Sequence, residues 1–284
     1  MYCYHLVAQI DTLLVIDKIV LRRDEKTYTA LVRYDREPGF LKCTKVKEAF
    51  DSERIALETI RAGDPSDTGI KKAFVSLMGV FPPKNGKYCL LVTRVIGDSL
   101  DVPLPVGGAC HCSDIPSGAV TNISLRIGIK YMHSLGLVHG DIKPQNIMID
   151  SSQKGRPIVT IIDFDMSQMV GRSGMGFPYG GTLGYLAPED FLGRPADQYK
   201  RDTWMMGATL YAALTKRPPL PFRHLLQKIR IMGKSIHVPV RSAKNRQLVG
   251  LMEKMMTFEI AQRPRLSELN DPLLKPFATT APVA

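Results

Sequence analysis

No glycine occurs between Met1 and Arg36, although the chain of 284 residues holds 23. That excludes, at this end of the chain, a loop in which bare backbone wraps a phosphate, since such loops need glycine to bring amides close without intervening side chains. Long apolar runs are missing too. Charges interrupt each candidate, so no bilayer-spanning segment is expected. The opening MYCYHLVAQIDTLLVIDKIV is apolar but broken by Asp11 and Asp17, with no basic start and no small-residue cleavage site. It does not read as a secretory leader, and by this criterion the expected location is cytoplasmic. The abrupt entry into strand-like sequence is what a truncated N-terminus would give. Cysteine is scarce: Cys3, Cys43, Cys89, Cys110 and Cys112 are odd in number and form no paired framework, so reduced thiols are expected. Cys110-His111-Cys112 has the composition of half a metal site, but no second cluster has suitable ligand spacing, and it is read as incidental. The net charge of +11 contains no long Lys/Arg run and no basic stretch interleaved with aromatics. It favours acidic partners in general and disfavours nucleic acid.

What is present is ordinary globular material, 44% hydrophobic and 23% charged, able to bury a substantial core. Leu13–Val20 and Thr27–Tyr34 are rich in β-branched and aromatic residues and predict a hairpin around the charged segment Arg22–Lys26. A third strand is expected over Phe40–Thr44 after a Pro38-Gly39 turn. A helix is expected over Glu48–Arg61, where Phe50, Leu57 and Ile60 recur near one face. Two more strands, Phe74–Val80 and Tyr88–Val95, flank the turn Pro82-Pro83-Lys84-Asn85-Gly86. Asp98–Ser117 reads as connector. Helical periodicity then dominates, over Val120–Leu135, Lys200–Leu214 and much of Phe222–Leu273, with short apolar strands at Ile147–Ile149 and Val159–Ile162. The expected architecture is α+β and bilobal: a small β-rich lobe with one helix (about 1–96), a larger mostly helical lobe (about 97–277), and a disordered tail over 278–284. A cleft between two lobes is where ligands tend to bind.

The chemistry-bearing residues cluster in His139-Gly140-Asp141-Ile142-Lys143-Pro144-Gln145-Asn146. Asp141 is a carboxylate that can accept a hydroxyl proton, and Lys143 a cation that can meet a transferring phosphate. Asn146 offers an amide oxygen that can ligate magnesium beside the carboxylate of Asp163, in Ile161-Ile162-Asp163-Phe164-Asp165. Orienting a hydroxyl, holding a metal and neutralising developing charge are the requirements of phosphoryl transfer.

These segments resemble the catalytic loop and the metal motif of the eukaryotic protein-kinase family, HRDLxxxN and DFG. The resemblance continues in chain order. Gly181-Thr182-Leu183-Gly184-Tyr185-Leu186-Ala187-Pro188-Glu189 is similar to the GTxxYxAPE segment, Arg201-Asp202-Thr203-Trp204-Met205-Met206-Gly207 to the DxWSxG helix, and Gln262-Arg263-Pro264 to the late RP motif. It implies that Arg263 pairs with Glu189, and that His139, Thr182 and Asp202 support the catalytic and substrate segments. It implies transfer from ATP with Mg2+ to protein Ser/Thr substrates; Lys143 with Thr182 is the serine/threonine combination. Lys42 is similar to the strand lysine that holds the α- and β-phosphates, with Lys45 a rival, and Glu53 to its helix partner, with Glu58 a rival. Thr93 matches the gatekeeper, and the backbone of about Arg94, Val95 and Ile96 the hinge that meets adenine.

The chain also departs from the family. Leu21-Arg22-Arg23-Asp24-Glu25-Lys26 stands where GxGxxG is expected, Gly140 replaces the arginine before the catalytic aspartate, and Asp165 replaces the DFG glycine. Either Arg22, Arg23 or Lys26 substitutes for the lost phosphate contacts, or nucleotide binds weakly, or the pocket is shut. Without an arginine at position 140, a phosphate on the activation segment loses its usual cation. Asp165 either assists a second cation or rigidifies the turn. The combination resembles the with-no-glycine-loop branch of apicomplexan rhoptry and dense-granule kinases, which implies a secretory compartment, parasite organelle or vacuole. The competing function is a pseudokinase, an interaction scaffold with its own partner. A small-molecule phosphotransferase is disfavoured by the GTxxYxAPE-like segment.

Overall fold

The computed structural model describes residues 14–23, 27–63, 68–101, 115–152, 157–219 and 246–269. The hairpin tip Asp24–Lys26, Cys3, the Cys110-His111-Cys112 cluster, most of the helical expectation over Phe222–Leu273 and the tail from Ala278 lie outside these residues. So do the side chains of Arg22 and Arg23.

The small lobe is an antiparallel sheet of β1 (Leu14–Arg23), β2 (Thr27–Tyr34), β3 (Glu37–Thr44), β4 (Leu77–Lys84) and β5 (Lys87–Thr93) in the order β1-β2-β3-β5-β4. Side chains alternate across the pleat. On β2, Tyr28, Ala30 and Val32 pack with Leu41, Cys43, Cys89 and Leu91 on the outer face, while Thr27, Thr29 and Leu31 line the inter-lobe cleft. Ladder pairing of β1 with β2 continues as far as Arg23 opposite Thr27, so the first hairpin stays closed up to its tip without glycine.

Two turns fall elsewhere than expected. The β2–β3 reversal is made by Asp35 and Arg36, at φ 49° and 69°, and Pro38-Gly39 belongs to β3. A two-residue turn with positive φ at both central positions is closed to proline, whose ring fixes φ at about −65°. Pro82 and Pro83 lie within β4, tolerated because β4 is an edge strand, and the reversal narrows to Asn85-Gly86. Phe74 belongs to a different contact: Ile161 N donates to the Ala73 carbonyl (2.8 Å) and Val75 N to the Ile161 carbonyl (3.4 Å), joining this segment to the other lobe.

Helix α1 (Lys47–Ala62) follows β3 and buries Phe50, Glu53, Ala56, Leu57 and Ile60 along one stripe, as its 3.6-residue period demands. The short α2 (Thr68–Lys71) leads to β4. In the larger lobe, the expected connector contributes β6 (Asp98–Ser99), paired with β8 (Ile147–Asp150) beside β9 (Ile158–Ile161). Helix α3 (Ile115–Ser134) starts within the segment read as connector. Small pairings join β7 (Leu137–Val138) to β10 (Gln168–Met169) and β11 (Met175–Gly176) to β12 (Ala196–Asp197). Helices α4 (Gln198–Thr215) and α5 (Arg246–Met255) pack through Trp204, Met205, Met206, Met252 and Met255, each of them fully buried and each contributing on the order of 2 kcal/mol. Asp197 caps α4 by accepting from Tyr199 N and Lys200 N at 3.0 and 3.2 Å. The result is a bilobal protein-kinase fold, a β-rich small lobe beside a helical one. No helix among the described residues is long and apolar enough to cross a membrane.

The expectation of reduced thiols is corrected at Cys43 and Cys89, which form a disulfide. They oppose each other directly across the β3–β5 ladder while standing 46 positions apart in sequence, a proximity only sheet order creates. Reduction, or Cys43→Ser, is expected to cost about 2–4 kcal/mol and lower the melting temperature by roughly 5–12 °C. A thermal melt with and without reductant, with intact mass reporting the two lost hydrogens, checks this.

Candidate active site

The catalytic-loop residues are set by backbone hydrogen bonds to the first turns of α4. The buried Asp202 carboxylate accepts from His139 N (2.9 Å) and Gly140 N (3.0 Å), and meets His133 Nε2 at 3.0 Å. Burial alone would raise this carboxyl; the His133 hydrogen bond and nearby positive charge hold it below the usual range instead. His139 packs on the fully buried Phe164, ring centres 5.1 Å apart, and its Nε2 meets the Ile162 carbonyl at 3.2 Å. The loop and the strand leading to Asp163 are thereby fixed to each other.

Asp141 points into this frame. Asn146 Nδ2 donates to its carbonyl (2.9 Å) and approaches Oδ2 at 3.4 Å. Lys143 Nζ lies 2.6 Å from Oδ2 and also donates to Thr182 Oγ1 (2.7 Å). The other carboxylate oxygen, Oδ1, is buried without a hydrogen-bond partner. A buried carboxylate oxygen in that condition is an acceptor waiting for a donor. With its nitrogen engaged, Asn146 keeps its amide oxygen for a cation.

Across the cleft, Lys42 Nζ bonds Glu53 Oε2 and Asp163 Oδ1, both at 2.6 Å. Burial works against the lysine charge, but the two carboxylates outweigh it and hold its pKa above the ordinary range. Burial likewise pushes Asp163 up, and Lys42 overcomes this to leave it lowered. The rivals have other positions: Lys45 is exposed, and Glu58 pairs with Arg54 at 2.8 Å along α1. Asp163 itself sits at φ 68°, a left-handed conformation that turns its carboxylate toward the cleft residues Lys42 and Lys143.

The cleft is a cavity of about 910 Å³, of the size ligand sites take. Its upper face carries Thr27, Thr29, Leu31, Phe40 and Lys42, its lower face Asn146, Met148 and Ile162. Thr93 does not take the position expected of it at the back. Its hydroxyl accepts from Ser76 N at 3.0 Å, and the β5 side chains opposite Phe40 and Lys42 are Val92 and Leu90. Val92 is buried there, and alternation from Leu90 is the signal that finds it. Thr93, Arg94 and Val95 line the cleft mouth, with Arg94 N already donating to the Pro38 carbonyl (3.4 Å). Arg263 and Glu189 meet as a buried bidentate pair at 2.6 and 3.0 Å, with the guanidinium 4.9 Å over Trp204. The structure thus brings Lys42, Glu53, Asn146 and Asp163 to one cleft, with Asp141, Lys143 and Thr182 joined to Asn146 by hydrogen bonds. Val92, the hydroxyls of β2 and the buried Arg201–Asp190 pair (2.7 Å) were not singled out from sequence.

The residues suit Mg-ATP. Asp163 and the Asn146 oxygen are hard oxygen donors on the cleft wall, beside the Lys42 cation. Among the described residues no group of three His, Cys, Asp or Glu could hold a metal by itself. The Asp163 carboxylate and Asn146 oxygen suit Mg2+, which commonly binds through one or two carboxylates plus substrate phosphates.

A fold and a cleft of this kind define the protein-kinase class, and comparison with known proteins agrees. The model of the family described as "Protein kinase domain" matches residues 71–273, and the chain belongs to that family. Lys42 and Glu53 precede the matched region. Among curated relatives, a probable serine/threonine-protein kinase KCC4 of Saccharomyces cerevisiae is 30% identical over 218 residues, 72% of this chain and 19% of that protein. Sperm motility kinase 2B of Mus musculus is 33% identical over 153 residues, 53% of this chain and 30% of that one. The chain therefore spans less than a third of either. The solved structure of the Cydia pomonella granulovirus kinase PK-1 superposes with a TM-score of 0.73 at 19% identity, over 95% of this chain and 98% of that one. That likeness is one of fold.

Asp165 lines the same cavity. Burial first, then the charge of Asp163, pushes its carboxyl up to about 7. A raised pKa means the native state holds a proton that the unfolded chain has released, so stability falls as pH rises from the unfolded carboxyl pKa to about 7. In metal-free buffer, Asp165→Asn should gain stability over wild type as pH climbs from 4 toward 7, levelling above it. Melts across that series check the prediction; a gap independent of pH would refute it.

Proposed function

We propose that this chain transfers the γ-phosphoryl group of ATP, bound with Mg2+, to serine or threonine hydroxyls of proteins, using no glycine-rich loop. The observation that carries the reading is the Asp141 carboxylate, with Oδ2 held by Lys143 and Oδ1 buried with no hydrogen-bond partner. Uncovered by an incoming hydroxyl, that oxygen would accept its hydrogen bond, orient it and take its proton as the new bond to phosphorus forms. Lys143, 2.6 Å away, offers a charge to the transferring group, and its bond to Thr182 ties that cation to the segment where a peptide would lie. Asn146 and Asp163 would hold the metal, which when bound supplies charge neutralisation to the phosphates. Lys42, braced by Glu53, would hold the non-transferred phosphates. Val95 and Ile96 carry the adenine contact, since the Arg94 amide is engaged.

Strand hydroxyls offer a replacement for glycine amides. Thr29 stands directly opposite Lys42 in the β2–β3 ladder, and both line the cavity with Thr27. Side chains directly opposed on one face lie about 5 Å apart, so these hydroxyls and the ammonium can share a phosphate. Thr29→Val keeps the shape and removes the hydroxyl. It should weaken Mg-ATP binding by about tenfold, the worth of one hydrogen bond to a charged group, while adenosine binding stays within about twofold. Calorimetric titration with both ligands checks this.

One observation favours the scaffold reading: Lys42 closes on Asp163 at 2.6 Å, bridging the place where phosphate and metal would enter. A single-turnover assay with labelled Mg-ATP and a generic basic protein separates the two. Transfer by wild type, lost by roughly three or more orders of magnitude in Asp141→Ala, supports the kinase. Silence in both, without any thermal shift on adding Mg-ATP, supports the scaffold. The Cys43–Cys89 disulfide supports an oxidising compartment for this chain, in keeping with the secreted setting that its resemblance to the apicomplexan branch implies.

A further inference from the structure

Arg201 is almost wholly enclosed, with a side chain about 1% exposed, and it belongs to neither the metal site nor the phosphate site. Its Nε pairs with Asp190 Oδ1 at 2.7 Å, its Nη1 donates to the Gly140 carbonyl at 3.3 Å, and its Nη2 donates to the Gly180 carbonyl at 2.8 Å. Asp190 uses its second oxygen to accept from Ala187 N at 2.7 Å. One guanidinium therefore joins the residue before Asp141, the segment just before Thr182, and the turn that begins at Pro188.

The surrounding backbone is shaped to admit it. Gly140 has φ 79°, and a Cβ there would stand 2.4 Å from the Met166 carbonyl oxygen. Gly181 has φ 106°, and a Cβ there would come within 3.0 Å of Arg201 Nη2 and 2.6 Å of Leu186 Cδ2. Neither position accepts a side chain without displacement, so position 140 cannot carry a cation of its own.

We propose that Arg201 is a positioning residue, a built-in cation that holds residues 175–186 against the catalytic loop so that the peptide-accepting arrangement needs no phosphate on that segment. Phosphorylation orders such segments by giving an arginine an anion to grip. Here the anion is the Asp190 carboxylate, covalently part of the chain, and backbone carbonyls supply the remaining acceptors. Thr182, which Lys143 engages, lies two residues beyond Gly180, so the latch fixes the cation at the reacting centre through the segment. The functional consequence rests on the phosphotransfer reading; the ordering itself does not.

The test is amide hydrogen exchange over 175–186 in the full chain, for wild type, phosphatase-treated wild type and Arg201→Lys. Lysine keeps a charge facing Asp190 but presents one nitrogen where the guanidinium uses Nε, Nη1 and Nη2. Phosphatase treatment should leave exchange unchanged. Arg201→Lys should speed it by at least about tenfold, raising KM for peptide by about tenfold with KM for ATP within about twofold. Protection lost on dephosphorylation overturns the proposal, and so does a folded Arg201→Lys chain whose segment stays protected. If that variant does not fold, the dephosphorylated wild type decides alone. A protected segment in a chain that transfers no phosphate would sink the kinase reading and leave the latch standing.

Discussion

Two opposite charges buried side by side in the first turns of α4 set up the larger lobe. Asp202 draws in the amides of His139 and Gly140, and Arg201 draws in the carbonyls of Gly140 and Gly180. A helix this deeply enclosed, with Trp204 through Met206 fully buried, is a rigid place to mount a loop. Buried charges are tolerated only when their hydrogen-bonding capacity is filled, and here backbone groups of the catalytic and activation segments fill it together with the side chains of Asp190 and His133. The polar requirements of the helix and the placement of Asp141 are one and the same set of bonds. The Arg263–Glu189 pair extends the logic to the far side of α4, where Arg263 also donates to the Lys200 carbonyl.

Much of this was legible in the sequence, and unevenly. The catalytic loop and the strand ending at Asp163 were readable because their chemistry sits in short contiguous runs, from His139 to Asn146 and from Ile161 to Asp165. The pairing of Lys42 with Glu53 rather than with its neighbours was open, since strand and helix faces must be combined to decide it; burial of Glu53 on the inner stripe of α1 does so. Thr93 and Val92 differ by a single position in β5, and a slip of one residue moves every side chain to the other face of a sheet.

Other features belong to tertiary arrangement alone. Cys43 and Cys89 become neighbours only because β5 inserts between β3 and β4, an order that no local pattern announces. Arg201 looked like part of a helix motif, and its partners at 140, 180 and 190 come from three separate stretches of chain. The departure at position 140 was the visible trace of it: a glycine where the family carries arginine leaves room that a buried side chain from elsewhere can claim.

The contact between Ala73–Val75 and Ile161 has a mechanical meaning. Residues 94–97 tether the lobes at the cleft mouth, while this second tether lies on the strand that delivers Asp163. Backbone tethers at these two places act as the spine of a book does and favour a single swing of the covers. Opening to admit a nucleotide would then be a rotation about that line, with little sliding or twisting. Because Asp163 stands two residues from the axis, it would travel little while Thr27 and Thr29 at the far edge travel most. The Asp163 end of the cleft would stay nearly constant, and the β2 edge would do the moving.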